Sequence, residues 1–385
     1  MYAEVSEGLT NQRMALISSM ALAAVLNRTL VLGDLRTGNR LMGGERNIVF
    51  GTLYDVGALA RRLPPAIRVC EARPSDLPHG RHCSTFGPHL AQFGGTHSSN
   101  EGLETTRRYA RRFDSARSKL LLRLDHNVWK ELPGASGWSC DSWCPQGGRE
   151  YLVLDRALVF VPQIRREAAA ICESLRTKYS GSRLSWLHLR IESDWARVKF
   201  DRCPFNNAES IAHKLIGTMS NASAGADVGT SCATIPPAAH DVLYIAGGKM
   251  DIDFRSHASN MFRAVATARD FHRTRQFFHQ ASVSALHELN LLAAAIDFHV
   301  GTLCDTHIAC DCSTFSSEVI TLRNMGLASL PRSSWTWSGP AYPKSKGLKP
   351  YLCKPSDWPW GGIARDGTVW QANSTGLKYF PADSK

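Results

Sequence analysis

The second half of this chain alternates short apolar segments with longer periodic ones, and this alternation limits the fold more than any other feature. The short segments are rich in β-branched and aromatic residues, which is typical of buried strands. The longer ones carry apolar residues at helical spacing, which predicts amphipathic helices. The predicted strands are 186–191, 242–246 and 307–309, and the predicted helices are 209–219, 261–271, 286–300 and one from Ser313. Strands that alternate with helices predict a parallel, doubly wound α/β sheet.

The first half of the chain opens with the same pattern. An extended segment at 2–5 precedes a helix at 14–26 with Thr10 as its N-cap, and Thr29–Leu32 follows as a buried strand. Residues 38–148 are irregular and rich in Gly, Pro, Ser and Arg. A chain of 385 residues is long enough for two domains. The predicted divisions are a domain at 1–180, a domain at 181–330, and an irregular Trp/Pro-rich tail at 331–385 that packs on the body.

The charge of the chain favours anionic partners. Its formal net charge is +11, which suits nucleic acid, a membrane surface, an acidic glycan or a nucleotide diphosphate, and does not choose among them. The basic clusters at 107–112 and 165–166 lack the length and the interleaved aromatic residues of a nucleic-acid platform, so no nucleic-acid partner is expected.

The cysteines indicate an oxidising compartment. Eleven cysteines is a high number for a cytosolic enzyme, and Cys140 and Cys144 lie in a Gly/Pro/Ser-rich segment where a disulfide would staple the chain. Zinc is the alternative, but the cluster Cys304, Cys310 and Cys312 has no second pair at comparable spacing. Asn-x-Ser/Thr sequons also fit secretory passage. No charged and apolar leader opens the chain, so we expect a membrane anchor only in an N-terminal segment that this fragment has lost.

The end of one predicted strand carries residues suited to an anion. His188 and Arg190 lie two positions apart, so their side chains share a face of the strand. The planar fork of Arg190 can form bidentate, permanently charged hydrogen bonds with a diphosphate. A structural salt bridge from Arg190 to Glu192 or Asp194 is the alternative, and the residues alone leave both open.

Three segments resemble the GDP-fucose protein O-fucosyltransferases and their plant and algal relatives. Residues 188–195, with the sequence HLRIESDW, are similar to the family's H-x-R-x-[GE]-x-D-W motif. Residues 7–13 resemble its Gly-Asn-Gln signature at the start of the first helix, and 304–315 resemble its acidic strand followed by Ser/Thr-Ser/Thr-Phe. The segments occur in the family's order. The resemblance implies a GT-B fold, in which two Rossmann-like domains face each other across a cleft.

The resemblance also implies roles for individual residues. Arg190 would bind the β-phosphate and stabilise the departing GDP, with His188 and Asp194 shaping the site. Asn11 and Arg13 would face the sugar or pyrophosphate from the N-terminal, acceptor-side domain. The remaining donor-binding residues implied are Asp305, Ser313, Thr314 and Phe315. Ser313 and Thr314 stand at a predicted helix N-terminus, which favours anions, although simple N-capping is their alternative role.

The activity expected from this resemblance is inverting, metal-independent transfer of fucose from GDP-fucose to a protein Ser/Thr or a glycan hydroxyl. Glu7 is the first candidate for the catalytic base and Glu192 the second, and the alternative for Glu7 is a surface position. The D-x-D sequence at 251–253 is assigned no metal. Many relatives carry Asp or Ser where this chain has Gly247 or Gly248, so a UDP-rhamnose donor with a pectin-type acceptor stays open. A non-catalytic nucleotide- or glycan-binding relative is the other alternative.

Overall fold

A computed structural model provides the structure of the chain, which divides into two compact units. Unit 1 comprises residues 1–162 and 285–291, and unit 2 comprises 163–284 and 292–385. No helix within the described parts is long and apolar enough to cross a membrane. The structure describes residues 2–3, 5, 8–25, 27–37, 46–65, 67–71, 83–86, 121–124, 154–189, 238–247, 252–271, 286–310, 314–324, 333–337, 349–350, 369–373 and 376–380.

Unit 1 is built on a parallel sheet of five strands. Its described elements, in chain order, are β1 (Tyr2–Ala3), α1 (Leu9–Val25), β2 (Thr29–Leu32), β3 (Leu35–Thr37), β4 (Arg46–Ile48), α2 (Val56–Arg62), β5 (Arg68–Glu71), β6 (Cys83–Phe86) and β7 (Leu121–Leu124). The strand order in the sheet is β5-β2-β1-β7-β6, and every neighbouring pair is parallel. Strands β3 and β4 form a separate antiparallel pair.

Local chemistry explains the elements of unit 1. Helix α1 is apolar along most of its length and its residues 12–17 are all buried, as expected for a helix enclosed by its domain. Helix α2 begins after Asp55, whose side chain accepts a hydrogen bond from the backbone N–H of Ala58 at 2.8 Å and so caps the helix. Gly33 follows β2, and any Cβ there would lie 2.2 Å from the Tyr2 ring, so glycine lets this ring pack against the strand end.

Unit 2 is built on a second, larger sheet. Its described elements are α3 (Pro162–Lys178), β8 (Leu184–His188), β9 (Val242–Ala246), α4 (Ile252–Met261), β10 (Ala264–Ala266), α5 (Leu286–Leu303), β11 (Thr306–Cys310), α6 (Thr314–Asn324), β12 (Ser333–Trp337), β13 (Lys349–Pro350), β14 (Val369–Asn373) and β15 (Gly376–Phe380). The first residues of α5, up to Leu291, belong to unit 1. The strand order is β10-β9-β8-β11-β12-β13, parallel except for β13, while β14 and β15 form a separate hairpin. Strands β8 and β9 are buried at every position, as expected for central parallel strands.

The predicted α/β class and the Rossmann-like character of both halves are confirmed. The helix predicted at 261–271 is wrong, because α4 ends at Met261 and 264–266 form β10. Ala-Val-Ala has no strong preference alone, but its pairing with β9 fixes it as a strand. Thr10 is not the N-cap of the first helix, which already begins at Leu9.

The predicted irregular tail contains regular structure. Residues 333–337 form β12, which extends the parallel sheet of unit 2 beside β11. The domain limits at 180 and 330 stay a prediction, as does a facing arrangement of two domains. In the structure α3 lies almost entirely in unit 2, whereas the sequence assigned it to the first domain.

Candidate functional site

The sheet of unit 2 has one position where the chain order reverses. Taken in chain order, β8, β9 and β10 extend the sheet to one side of β8, and β11 and β12 extend it to the other. The connections after β8 and β11 therefore leave in opposite directions, which opens a crevice beyond the carboxyl ends of these two strands. Such switch points bind ligands in doubly wound sheets. His188 ends β8 at this position, and α6 begins four residues after β11 ends.

His188 ties the carboxyl end of β8 to the first turn of α6. Its Nδ1 atom lies 2.7 Å from the hydroxyl oxygen of Ser316, and both side chains are buried. Its ring also lies 4.8 Å from the ring of Phe315. The segment HLR and the segment Ser-Thr-Phe, which were singled out separately in the sequence, therefore meet at one edge of one sheet. The structure brings the rings of His188 and Phe315 into contact, and their donor-binding roles stay a prediction.

A layer of aromatic rings supports this edge. Trp186 is fully buried and stacks on His307 at 4.5 Å and on His188 at 5.9 Å. Phe315 packs 6.1 Å from Trp186 and edge-on to Phe298 at 5.6 Å. Burial lowers the pKa of His307 well below its usual range, with Arg323 and His188 nearby acting in the same direction, so its ring is neutral. The layer is closely packed and apolar in character, and it fixes the position of α6 against β8.

Asp297 is a buried carboxylate near the carboxyl end of β9 that was not predicted from the sequence. It lies on α5, is 8% exposed, and accepts a hydrogen bond from the Tyr244 hydroxyl at 2.6 Å on Oδ1. Its Oδ2 atom accepts a longer one from the backbone N–H of Gly247 at 3.4 Å, just beyond the carboxyl end of β9. Its backbone carbonyl accepts from Trp186 Nε1 at 3.0 Å. The available signal was a single carboxylate inside the apolar run LLAAAIDFHV.

The ionisation of Asp297 is shifted strongly. Burial raises its pKa from the usual 3.8 to about 7, while the hydrogen bonds from Tyr244 and Gly247 and the charge of Arg269 oppose the rise. Burial and the neighbouring Asp297 also raise the pKa of Tyr244 well above its usual range. A carboxyl group whose pKa is about 7 therefore lies beside the crevice edge.

Replacing Asp297 with Asn is expected to remove a pH dependence of stability. Between about pH 4 and pH 7 the folded protein keeps a proton on Asp297 that the unfolded chain has released. The free energy of unfolding therefore falls as pH rises through this window, by up to about 1.4 kcal/mol per pH unit, and the variant lacks this fall. Urea unfolding of both proteins at pH 5, 6, 7 and 8 measures the difference between them.

Tyr244→Phe is the companion to that variant. The Tyr244 hydroxyl lowers the pKa of Asp297, so its removal extends the fall in stability to higher pH. A difference between Asp297→Asn and the unchanged protein that is constant with pH contradicts the raised pKa.

Gly247 is required by the backbone at the same edge. Its φ is +155°, and a Cβ there would lie 2.7 Å from the carbonyl oxygen of Leu189. Leu189 in turn donates its backbone N–H to the carbonyl of Ala246 at 2.9 Å, so the ends of β8 and β9 remain in close contact. Glycine at position 247 therefore has a structural reason in this chain.

Asp305 does not lie at this edge. It precedes β11, and its Oδ2 atom accepts the backbone N–H of Leu184, the first residue of β8, at 2.8 Å. The four residue steps from Leu184 to His188 span about 13 Å. Its Oδ1 atom accepts from Arg176 at 3.3 Å. The implied donor-binding role of Asp305 is corrected to a structural one at the amino end of the sheet.

Arg13 is also part of an internal network in unit 1. It is 2% exposed, its Nε donates to Asp155 Oδ1 at 2.6 Å, and its Nη1 donates to the carbonyl of Leu158 at 2.7 Å. Its Nη2 donates to the backbone carbonyl of Asp155. The guanidinium lies 6.0 Å and 5.9 Å from the ring centres of Tyr54 and Phe160. The implied contact of Arg13 with sugar or pyrophosphate is corrected, since its fork is directed into the protein.

The neighbouring signature residues have different environments. Gln12 is buried, and its side-chain amide pairs with the backbone of Arg36 in β3, donating at 2.6 Å and accepting at 3.1 Å. This pair of hydrogen bonds gives Gln12, which matches the family signature, a structural function. Asn11 is half-buried in the first turns of α1, and its donor contact stays a prediction.

The other predicted site residues lie outside the described residues. Thr314 begins α6 as expected, but only its backbone is described. No group of three or more His, Cys, Asp or Glu side chains in the described ranges is placed to hold a metal ion. The residues not described are Glu7, Arg190, Glu192, Asp194, Gly248, Asp251, Cys312 and Ser313.

Comparison with known proteins identifies the family. The sequence model of the family described as GDP-fucose protein O-fucosyltransferase matches residues 1–325. The chain belongs to this family. It is a glycosyltransferase of the fucosyltransferase kind, as the three motifs predicted. No curated protein matches the chain.

Solved fucosyltransferase structures are similar to the chain over most of its length. POFUT1 in complex with GDP-fucose is 14% identical, with 87% of this chain and 97% of that chain covered and a TM-score of 0.48. The alpha-1,6-fucosyltransferase NodZ soaked with GDP-fucose is 14% identical, with coverage of 91% and 97% and a TM-score of 0.49. The fucosyltransferase NodZ from Bradyrhizobium is 14% identical, with coverage of 90% and 97% and a TM-score of 0.49. At this level of similarity the comparison assigns no role to any residue.

Proposed function

We propose that this O-fucosyltransferase family member transfers fucose from GDP-fucose, with inversion and without a metal ion, to a protein Ser/Thr or a glycan hydroxyl. The observation that carries the proposal is the His188–Ser316 hydrogen bond. It joins the end of β8 to the first turn of α6 at the switch point of the unit 2 sheet. Family membership supports the donor class. The geometry supports the use of this edge for a phosphate-bearing ligand.

Two positive groups would neutralise the diphosphate in this proposal. Arg190 follows Leu189 in the sequence, and the backbone of Leu189 is held against Ala246 and Gly247. A guanidinium forms bidentate hydrogen bonds with phosphate oxygens and keeps its charge throughout the reaction. The amino end of α6 adds backbone N–H groups and the positive end of the helix dipole. Together they stabilise the charge that develops on GDP as the glycosidic bond breaks.

The acceptor side of the proposal rests on Glu7. Inverting transfer needs a base that takes the proton of the acceptor hydroxyl as the bond to the diphosphate breaks. In the sequence Glu7 falls between β1, which is the central strand of the unit 1 sheet, and α1. Connections that follow the carboxyl ends of parallel strands are where catalytic groups are found. The cysteine content and the sequons support a place in the lumen of the Golgi or endoplasmic reticulum.

A ligand panel tests the donor. GDP at about 100 times its Kd is expected to raise the Tm by about 5–10 °C, with smaller shifts for UDP and ADP at the same concentration. The same shift is expected with EDTA present, since Arg190 and α6 supply the positive charge. A larger shift with UDP than with GDP would instead favour the UDP-rhamnose alternative, which the glycine at 247 left open.

Turnover is measured separately from binding. Release of GDP from GDP-fucose in the presence of an acceptor library, and not in its absence, is the expected result for a transferase. GDP binding without acceptor-dependent release from any member of a broad library would support the non-catalytic alternative. Inversion is checked by the anomeric configuration of the fucosylated product.

A further inference from the structure

A pair of buried cysteines in unit 2 lies outside the donor site. Cys172 is on α3 and Cys304 follows the last residue of α5, and they are 2% and 0% exposed. Both are free thiols in the structure, and Cys172 is close enough to help raise the pKa of the Cys304 thiol. Neither cysteine belongs to the Cys140–Cys144 segment that the sequence suggested for a disulfide.

Independent contacts hold the same two segments together. Arg176 is one helical turn beyond Cys172 on the same face of α3. Its Nη2 atom donates to the backbone carbonyl of Leu303 at 2.9 Å and to Asp305 Oδ1 at 3.3 Å, on either side of Cys304 in the sequence. On the other side, Arg323 donates to the carbonyl of Cys304 at 2.6 Å. The backbones that carry the two thiols are therefore fixed relative to each other.

We propose that Cys172 and Cys304 form a disulfide when the chain folds in an oxidising compartment. The two thiols lose two protons and two electrons as the S–S bond forms, and a small-molecule disulfide such as oxidised glutathione is reduced to two thiols. The cysteines are far apart in the sequence, so the bond closes a loop of more than about 100 residues and strongly restricts the unfolded chain. The proposal does not depend on the donor or on the catalytic activity.

The environment of the pair determines when the bond forms. Burial and the neighbouring Cys172 raise the pKa of the Cys304 thiol well above its usual range, so the folded protein holds few thiolates there. Exchange is therefore expected during folding, while the sulfur atoms are still accessible. Once formed, the bond is shielded from reductants. The bond joins α3 to the end of α5, the helix that carries Asp297.

Peptide mapping tests the bond directly. The full chain is folded with glutathione disulfide, alkylated under denaturing conditions without reductant, and cleaved after Lys and Arg and before Asp. Residues 167–176 then carry only Cys172, and residues 297–304 carry only Cys304. The expected result is a linked pair of these two peptides that separates on reduction. Recovery of both peptides alkylated and unlinked overturns the proposal.

Thermal unfolding gives a second measurement. Under oxidising conditions, Cys172→Ser and Cys304→Ser are each expected to lower the Tm by about 5–15 °C, and the double variant no further. After the protein is unfolded and refolded with reductant, these differences shrink to a few degrees. Cys70→Ser is the matched control, because Cys70 is exposed on β5 and far from this pair in the sequence. Equal losses of Tm with and without reductant would show a packing role only and would overturn the cross-link.

Discussion

Replacing Arg13 with methionine is expected to lower the free energy of unfolding by about 3–5 kcal/mol. The variant leaves the Asp155 carboxylate, which is 0% exposed, without the guanidinium that now binds it at 2.6 Å. It also removes the hydrogen bonds to the backbone carbonyls of Asp155 and Leu158. A buried charge without its partner costs far more than the net contribution of the pair. Urea unfolding followed by circular dichroism measures the loss.

A matched set of variants separates the ion pair from its surroundings. Arg61→Met changes an exposed arginine in the same unit and is expected to alter stability by no more than about 0.5 kcal/mol. Arg13→Met combined with Asp155→Leu removes both charges and is expected to recover part of the loss. GDP affinity of the folded Arg13→Met protein is expected to be unchanged. Weakened GDP binding with unaltered stability would return Arg13 to the donor site.

Arg13 illustrates where the sequence was informative and where it was not. The apolar periodic run after it predicted a helix here, although α1 begins at Leu9, five residues before the predicted start. The partner Asp155 is more than 100 positions away, and no local pattern reports such a pairing. A residue that matches the family motif can therefore stabilise the fold instead of binding the ligand, as Gln12 does by pairing with the backbone of Arg36.

The strands likewise include some that the sequence predicted and some that it did not. Strand β9 was predicted with its observed limits because its apolar run is short and lies between polar turns, which favours a buried strand over a helix. Strand β10 was missed because Ala-Val-Ala acquires its conformation from pairing with β9. Strands β6 and β7 lie within the irregular region 38–148, where four-residue segments carry too little periodicity to be recognised.

The motifs predicted a candidate site, and the packing of unit 2 shows which of its described residues lie together. His188 and Phe315 were predicted from two separate segments, and the sheet order explains why they meet. Asp297 could not be inferred, because a single carboxylate in an apolar helix indicates a buried polar group without naming its partner. Asp305 was wrongly assigned to the donor site. It immediately precedes β11, and the candidate site lies at the opposite end of this strand. Closeness in sequence to Ser313 therefore did not mean closeness in space.

Replacing Arg190 with alanine is expected to reduce fucosyl transfer by about 10³-fold and to weaken GDP binding, with the Tm unchanged within about 2 °C. The expectation follows from its position, one residue beyond the point where Leu189 is hydrogen-bonded to Ala246 at the switch-point edge. Arg190→Lys keeps the charge but loses the planar fork, so an intermediate rate is expected. Arg263→Ala is the control, since Arg263 precedes β10 at the amino end of the sheet and donates to Ser182.

The kinetics with GDP-fucose and the Tm together distinguish the two roles left open for Arg190. If it stabilises the departing diphosphate, Arg190→Ala lowers kcat more than it weakens binding of GDP-fucose, because the developing charge is bound more tightly than the ground state. If it forms a structural salt bridge with Glu192 or Asp194 instead, the Tm falls, and Glu192→Gln or Asp194→Asn reproduces the loss. Near-normal turnover of Arg190→Ala with an intact Tm would remove Arg190 from the mechanism. The behaviour of the Arg190 variants therefore shows whether the residues that follow β8 in the sequence bind the donor or stabilise the fold.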